Sequence, residues 1–391
     1  MEKIRILFAG DLCIRDAGIA NLYDEKIDEI SAVIKEKTMA HDVSIVNVET
    51  VFTDTPTPTK KSGPNISSPT KAIDYLKKMG FTVAALANNH VCDQGDDAGE
   101  ISKNMIEALG IHTMGYGKNL EEAQRAVRVF VKGRNISLLN FAENEFYPAG
   151  ENTAGFAPID PFDNARLIKS EKEKADFVFV MLHAGNEECP FPRSGLKKLT
   201  RHFVEVGADA VIISHPHTVQ GYEYYNGKPI VYSTGNFFMS KNSETKTLWN
   251  YGYMASLVIN PDNSIEFTPI PYEFGSHCEY FEFLGGEKYD KFIAYLSELC
   301  DIINVTSAED YKRLEYAWSI LFMKDAWNAY LKEMATDMSE DGAYMLACKN
   351  LFSCESHVEV MQNLFTVVTK NRLSEFEKEK EKILNWQNKA F

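Results

Sequence analysis

Asp11, Glu49, Asn89, His183, His215 and His217 lie far apart in the chain, yet each comes just after an apolar run. Asp11 follows "RILFAG", Glu49 follows "SIVNV", and Asn88, Asn89 and His90 follow "VAALA". His183 follows "VFVML", while His215 and His217 follow "AVIIS" with only Pro216 between them. In an open α/β sheet such strand ends converge on one edge, where ligands bind. Five separate segments would there deliver two carboxylates, an amide and several imidazoles to one cleft. A mixed nitrogen and oxygen donor set of that kind suits transition metals. Taken singly, each residue has a plainer reading. An Asp after a strand is commonly a helix cap or turn residue, and a strand-end His is ordinarily a hydrogen-bonded core residue. The conjunction argues for a metal site. Cys13, two residues after Asp11, leaves a thiolate ligand open, whereas Cys92 and Cys189 lack paired spacing and read as buried or incidental thiols. His41, His112, His202, His277 and His357 lack the strand-end position and read as surface or packing residues.

The elements that must position these groups are legible from periodicity. Runs at 4–9, 43–49, 82–87, 177–182 and 210–214 are apolar on both faces, as in sheet strands covered by helices on each side. Helical patterns at 24–37, 68–80, 99–110 and 194–207 alternate with them, several ending in a C-capping glycine. Further strand-like runs at 136–141, 229–234, 253–259 and 265–270 have fewer helices between them, so some pairing is expected to be antiparallel. The class is α/β, a layered sandwich flanked by helices. "TDTPTPTKKSGPNISSP" (53–69) reads as a surface loop near the site, since strand patterning resumes on both sides. From about residue 273 the texture is helical: 306–335 opens on a capping-box pattern, Thr306 with Glu309, and repeats Leu314, Trp318, Leu321, Phe322 and Tyr330 at helical spacing. The charged stretch "SEFEKEKEKILNWQ" reads as a solvated helix. Two units are expected, residues 1–272 and an all-helical accessory domain or lid at 273–391.

Composition excludes several classes. With 391 residues, 45% hydrophobic and 25% charged, the chain is ordinary globular material. A net charge of −15 argues against a nucleic-acid partner, which would need clustered Lys and Arg. Seven cysteines, an odd number without regular spacing, read as reduced thiols. The opening apolar run is too short for a signal peptide and no later run reaches membrane-spanning length, so a cytoplasmic chain without a membrane segment is expected.

The series "GD" (10–11), "NVE" (47–49), "ANNHVCDQG" (87–95), "HAGNE" (183–187), "SHPHTVQGYE" (214–223) and "YSTGNF" (232–237) resembles the motifs of the bacterial capsule-synthesis, or poly-γ-glutamate-synthesis, CapA-type family. That family is similar in fold to the calcineurin-like metallophosphoesterases. The resemblance covers about residues 3–260 and leaves the helical third unexplained. It implies two divalent ions, Mn, Zn or Fe: Asp11 and His217 on one, Asn89, His183 and His215 on the other, with Glu49 bridging. It implies that His90, oriented by Asp93, donates to charge developing on the substrate, that Asn88 contacts substrate, and that Glu187 and Asn236 contact either the substrate or the residues that hold the metal. Arg193 and Lys60 or Lys61 are further candidates for an anionic substrate, though the lysines read more simply as solvated charges. Three departures stand out. Cys13 occupies the position of a metallophosphoesterase histidine, Glu49 that of the bridging aspartate, and Ala184 that of a family aromatic.

A metal-bridged water can attack a phosphoester or an amide, and the sequence does not choose between them. The leading expectation is a metal-dependent hydrolase of the CapA type. Its substrate would be a γ-glutamyl or related cell-envelope or capsule polymer, or an anionic fragment of one. The alternatives are a phosphoesterase on a small phosphorylated metabolite and a non-catalytic accessory protein of polymer synthesis. The proline of the H-P-H segment is expected to hold it extended and set the two imidazoles for separate ions.

Overall fold

A computed structural model of the chain describes residues 2–23, 26–323 and 343–391. Two stacked sheets form its centre, with helices on their outer faces, as the α/β patterning requires. In spatial order the first sheet holds Phe281–Phe283, Ile265–Phe274, Tyr251–Ile259, Ile4–Cys13, Val43–Val48, Val83–Ala85 and His112–Met114. Asn236–Met239 adds a parallel pairing beside the end of Ile4–Cys13. From Ile4–Cys13 to His112–Met114 the strands are parallel, and on the other side they alternate antiparallel. The second sheet runs Tyr222–Tyr225, Lys228–Val231, Ala210–Ser214, Phe177–His183, Arg134–Ala142 and Val127–Val131, parallel in the middle and antiparallel at both edges.

Side-chain alternation explains why the strand runs are apolar throughout. Along Ile4–Cys13, Ile4, Ile6 and Phe8 enter the core between the sheets, while Leu7 and Ala9 pack with Ile27, Ile30 and Ile34 of the helix Lys26–Met39. Along Phe177–His183, Phe177, Phe179 and Met181 face the same inter-sheet core, and Val178, Val180 and Leu182 pack with Leu196 and Phe203 of the helix Ser194–Glu205. Phe8 and Phe179 meet edge to face across the sheets at 6.3 Å between ring centroids. The parallel strands of both sheets present their C-terminal ends on one side of the sandwich, where the candidate residues gather.

The helical third departs from expectation in two ways. The sheet continues past residue 272, because Phe281–Phe283 pairs with Ile265–Phe274, and the helices begin at Gly286. Nor do these helices bury a separate core: Phe292, Tyr295, Trp318, Val360 and Trp386 join the cluster that contains Ile6, Phe8 and Phe179. The helix Ala308–Met323 buries Leu314 and Trp318 and leaves Phe322 40% exposed. Its cap is Ser307, whose hydroxyl accepts from the backbone N–H of Asp310 at 3.1 Å, one residue beyond the expected Thr306 and Glu309 pair. Tyr330 and the remainder of the expected helix to residue 335 lie outside the described residues. The charged final helix is Glu377–Gln387, which is solvated except for the buried Ile383 and Trp386. Among the described residues no helix is long and apolar enough to cross a membrane.

Phe179→Ala removes the ring that joins both sheets, and the expected loss is about 3–5 kcal/mol in equilibrium urea unfolding. A loss under about 1 kcal/mol would show that the inter-sheet contact is not a main support.

Candidate metal centre

Gly10 and Asp11 form an irregularity where Ile4–Cys13 shifts register against its neighbours. A Cβ at Gly10 would lie 1.9 Å from the carbonyl oxygen of Gly235, so only glycine lets the "YSTGNF" segment approach. That approach brings Asn236 beside His217. The Asp11 carboxylate accepts from the Asn47 amide at 2.7 Å through Oδ1 and from the His215 backbone N–H at 3.0 Å through Oδ2. One carboxylate thus joins the ends of both sheets.

Glu49 is fully buried, and neither of its oxygens has a hydrogen-bond partner among the described residues. Three imidazoles turn their Nε2 atoms towards its Oε1: His183 at 3.7 Å, His217 at 3.7 Å and His90 at 3.8 Å. Burial pushes the Glu49 carboxyl well above the usual range, and the neighbouring Asp11 charge adds to the effect. Burial likewise holds His183 well below the usual imidazole range, reinforced by His215, His217 and His90 around it. The pocket therefore disfavours both a charged His183 and an uncompensated Glu49 carboxylate. A bound cation is what makes neutral imidazoles and ionised carboxylates the favoured forms together.

Two groups of three buried side chains have donor atoms within 4.8 Å of one another: Glu49, His183 and His215, and Asp11, Glu49 and His217. Either can hold a metal ion, and Glu49 belongs to both. The surrounding polar residues orient these donors. His217 has its Nδ1 on Asn236 Oδ1 at 2.8 Å, which leaves Nε2 free. His183 has its Nδ1 edge beside the Asn47 amide at 3.2 Å and the Ser214 hydroxyl at 3.4 Å. Its Nε2 lies 3.0 Å from both Asn89 Oδ1 and His215 Nδ1. Asn89 donates its amide to Glu145 Oε2 at 2.8 Å, so its carbonyl oxygen points to the histidines. The H-P-H segment is a turn, contrary to the extended form expected: His215 and His217 have φ of 102° and 53°. These left-handed values are uncommon for non-glycine residues, and proline cannot impose them on its neighbours.

His90 rests on Asp93, with Nδ1 to Oδ2 at 2.6 Å. Asp93 is itself fixed by the Ile66 backbone N–H at 2.7 Å and by a close ion pair with Lys61. The 53–69 loop is thereby folded onto the "NNHVCDQG" loop. Burial lowers the His90 pKa despite Asp93.

Several sequence expectations are relocated. Lys61 is buried in the pair with Asp93 and stacked on Phe146 at 4.2 Å, so it is not a solvated charge. Arg193 donates to Glu143 at 2.6 Å and to Glu359 at 2.8 Å, and these two buried ion pairs tie the sandwich to the helix Glu355–Thr369. Asn88 is fully buried, donating to the Val48 carbonyl and accepting from the His90 N–H, so it shapes the loop. Cys13 packs with Ile66 and Met239, and burial pushes its thiol up to about 11, which disfavours a thiolate; it joins neither donor group. Cys92 and Cys189 are buried free thiols. Glu187 is exposed in the cleft over the donor groups, a space of about 300 Å³.

That cleft also holds residues the sequence reading missed. His357, expected to have no site role, lines it from the C-terminal helices, and its Nδ1 is buried without a partner among the described residues. No strand-end signal could have marked it. Arg15, four residues after Asp11, lines the cleft, and its buried Nε has no partner among the described residues. Asn350 donates to Glu145 Oε1 at 3.1 Å, so a C-terminal helix holds the carboxylate that orients Asn89.

The family described as "Bacterial capsule synthesis protein PGA_cap" matches residues 5–241, more than half of the chain and all of the donor residues. The chain belongs to that family. Among curated PGA_cap relatives it is 33% identical over 208 residues to "PGA biosynthesis protein CapA" of Bacillus subtilis (strain 168), covering 51% of this chain and 53% of that protein. It is 28% identical over 181 residues to "Capsule biosynthesis protein CapA" of Bacillus anthracis, covering 44% of each. The chain spans about half the length of these curated relatives. A putative 5'-nucleotidase from Staphylococcus aureus matches at a TM-score of 0.45 and 13% identity, over 76% of this chain and 58% of that one. That likeness is too low to carry a functional argument.

Arg193→Met leaves the buried Glu143 uncompensated, and the expected cost is about 3–5 kcal/mol in urea unfolding. If Arg193 served substrate instead, the variant would keep its stability and lose only substrate affinity.

Proposed function

We propose that this PGA_cap protein is a metal-dependent hydrolase that cleaves a γ-glutamyl or related capsule or cell-envelope polymer, or its fragments. The observation that carries this reading is Glu49: a buried carboxylate, unpartnered on both oxygens and common to two donor groups. Asp11 and His217 would hold one ion, Asn89, His183 and His215 the other, with Glu49 between them. Bound there, divalent ions supply Lewis acidity and a water acidic enough to ionise near neutral pH.

The chain's own groups do the rest. His90, its Nδ1–H fixed by Asp93, presents the Nε2 lone pair to the leaving side of the substrate, takes up there a proton released in the reaction and passes it to the leaving group. Arg15 offers a guanidinium to an anionic group. Glu187 faces the same space and accepts from a substrate N–H or O–H. Asn236 positions His217 without touching substrate. Phe322, Asn350 and His357 close the cleft from the helical side and limit entry of bulk water. Names of the Bacillus relatives support the polymer class, and the odd, irregular cysteine count supports a reducing, cytoplasmic setting.

The deciding experiment is elemental analysis of the purified protein with parallel assays on γ-glutamyl peptides and aryl phosphates, with Mn²⁺, Zn²⁺ or Fe²⁺ supplied. Bound metal and turnover of the peptides are expected, and turnover of aryl phosphates alone would move the assignment to a phosphoesterase. No metal and no turnover would remove the enzymatic reading. Glu49→Gln is expected to abolish both metal retention and turnover. Activity that survives His215→Ala and His217→Ala would sink the donor assignment. Asn236→Leu is expected to weaken metal affinity by about 10–100-fold in chelator competition while the fold is kept.

A further inference from the structure

Beside the metal cleft lies a second cavity of about 350 Å³. The two adjoin, with Ser62, Phe146 and Asn350 lining both. Three lysines border the second cavity, Lys60, Lys61 and Lys349, and among the described residues no carboxylate does, in a chain whose net charge is −15. Lys61 is committed to Asp93. Lys60 and Lys349 are exposed, and neither side chain forms a hydrogen bond or ion pair among the described residues. The rest of the lining mixes apolar surface from Phe146, Tyr147, Pro148 and Leu346 with the polar Asn144 and Ser353.

We propose that this cavity is a substrate subsite for a second anionic group, carried on a short apolar spacer beyond the bond attacked in the metal cleft. The inference rests on the hydrolase reading for its orientation, but the subsite itself is defined by binding. Lys60 and Lys349 supply the charge, from walls contributed by the 53–69 loop and the helix Ala343–Ser353. Phe146 and Leu346 supply a surface for methylene groups. Asn350 stands at the junction. Its Nδ2 is committed to Glu145, while its Oδ1 is buried with no partner among the described residues. An acceptor in that position favours a substrate with an N–H between its two anionic groups over one joined by ester oxygens.

Calorimetric titration of the full-length protein tests this without requiring turnover. The probes are a tri-γ-glutamyl peptide, its single-anion control glutaric acid monoamide, and a phosphate pair, pentane bisphosphate and pentyl phosphate. Lys60→Gln and Lys349→Gln are each expected to weaken the tripeptide about fivefold and to leave the monoamide unchanged. The same lysine dependence for the bisphosphate alone would keep the subsite and assign its anion to phosphate. Equal affinities across both variants for the tripeptide and the bisphosphate would overturn it. A protein that binds the tripeptide through these lysines but never hydrolyses it would refute the hydrolase reading and leave the subsite standing.

Discussion

Everything around the site answers to a carboxylate placed where water cannot reach it. Glu49 sits at the end of a parallel strand with no hydrogen-bond donor, and a buried charge without a partner is among the costliest features a fold can hold. The surrounding residues do not relieve that cost themselves. Asn47 and Asn89, which carry amide donors that could do so, turn them instead onto Asp11 and Glu145. Donors are thus spent on orienting other ligands, and Glu49 is left for a cation.

The sandwich makes this arrangement possible because two sheets with parallel centres end on the same side. Asp11 and Glu49 come from one sheet, His183 and His215 from the other, and the His215 N–H bond to Asp11 links them. Chain connectivity alone could not place these groups together, since Asp11 and His215 are 204 residues apart. Their meeting depends on the inter-sheet core, with Phe8 and Phe179 at its middle.

Much of this was legible in the sequence, for a physical reason. Strands covered on both faces read as unbroken apolar runs, and a polar residue at the end of such a run has few roles besides capping or ligation. Ala210–Ser214 was found to the residue, and Asp11, Glu49, Asn89, His183, His215 and His217 do converge. What was not legible depended on tertiary partners. Arg193 and Lys61 look like free cations until Glu143, Glu359 and Asp93 are seen beside them. His357 looks like any helical histidine until its helix is laid over the cleft. The turn at His215 and His217 escaped because proline suggests extended neighbours, while the Asp11 contact to the His215 N–H accompanies a different geometry. The helical third was read as a separate unit because a change of texture shows where helices begin but not which core they share.

The contact from Asn350 through Glu145 to Asn89 has a temporal side. A chain is made from its N-terminus, and folding of early segments can begin while later ones are still being synthesised. Asp11, Glu49 and the histidines all emerge well before residue 350, yet the carboxylate that aims the Asn89 oxygen lacks its own support until that residue arrives. A nascent chain would hold most of its donors in a loosely set form and sharpen them only once residue 350 has been added and docked.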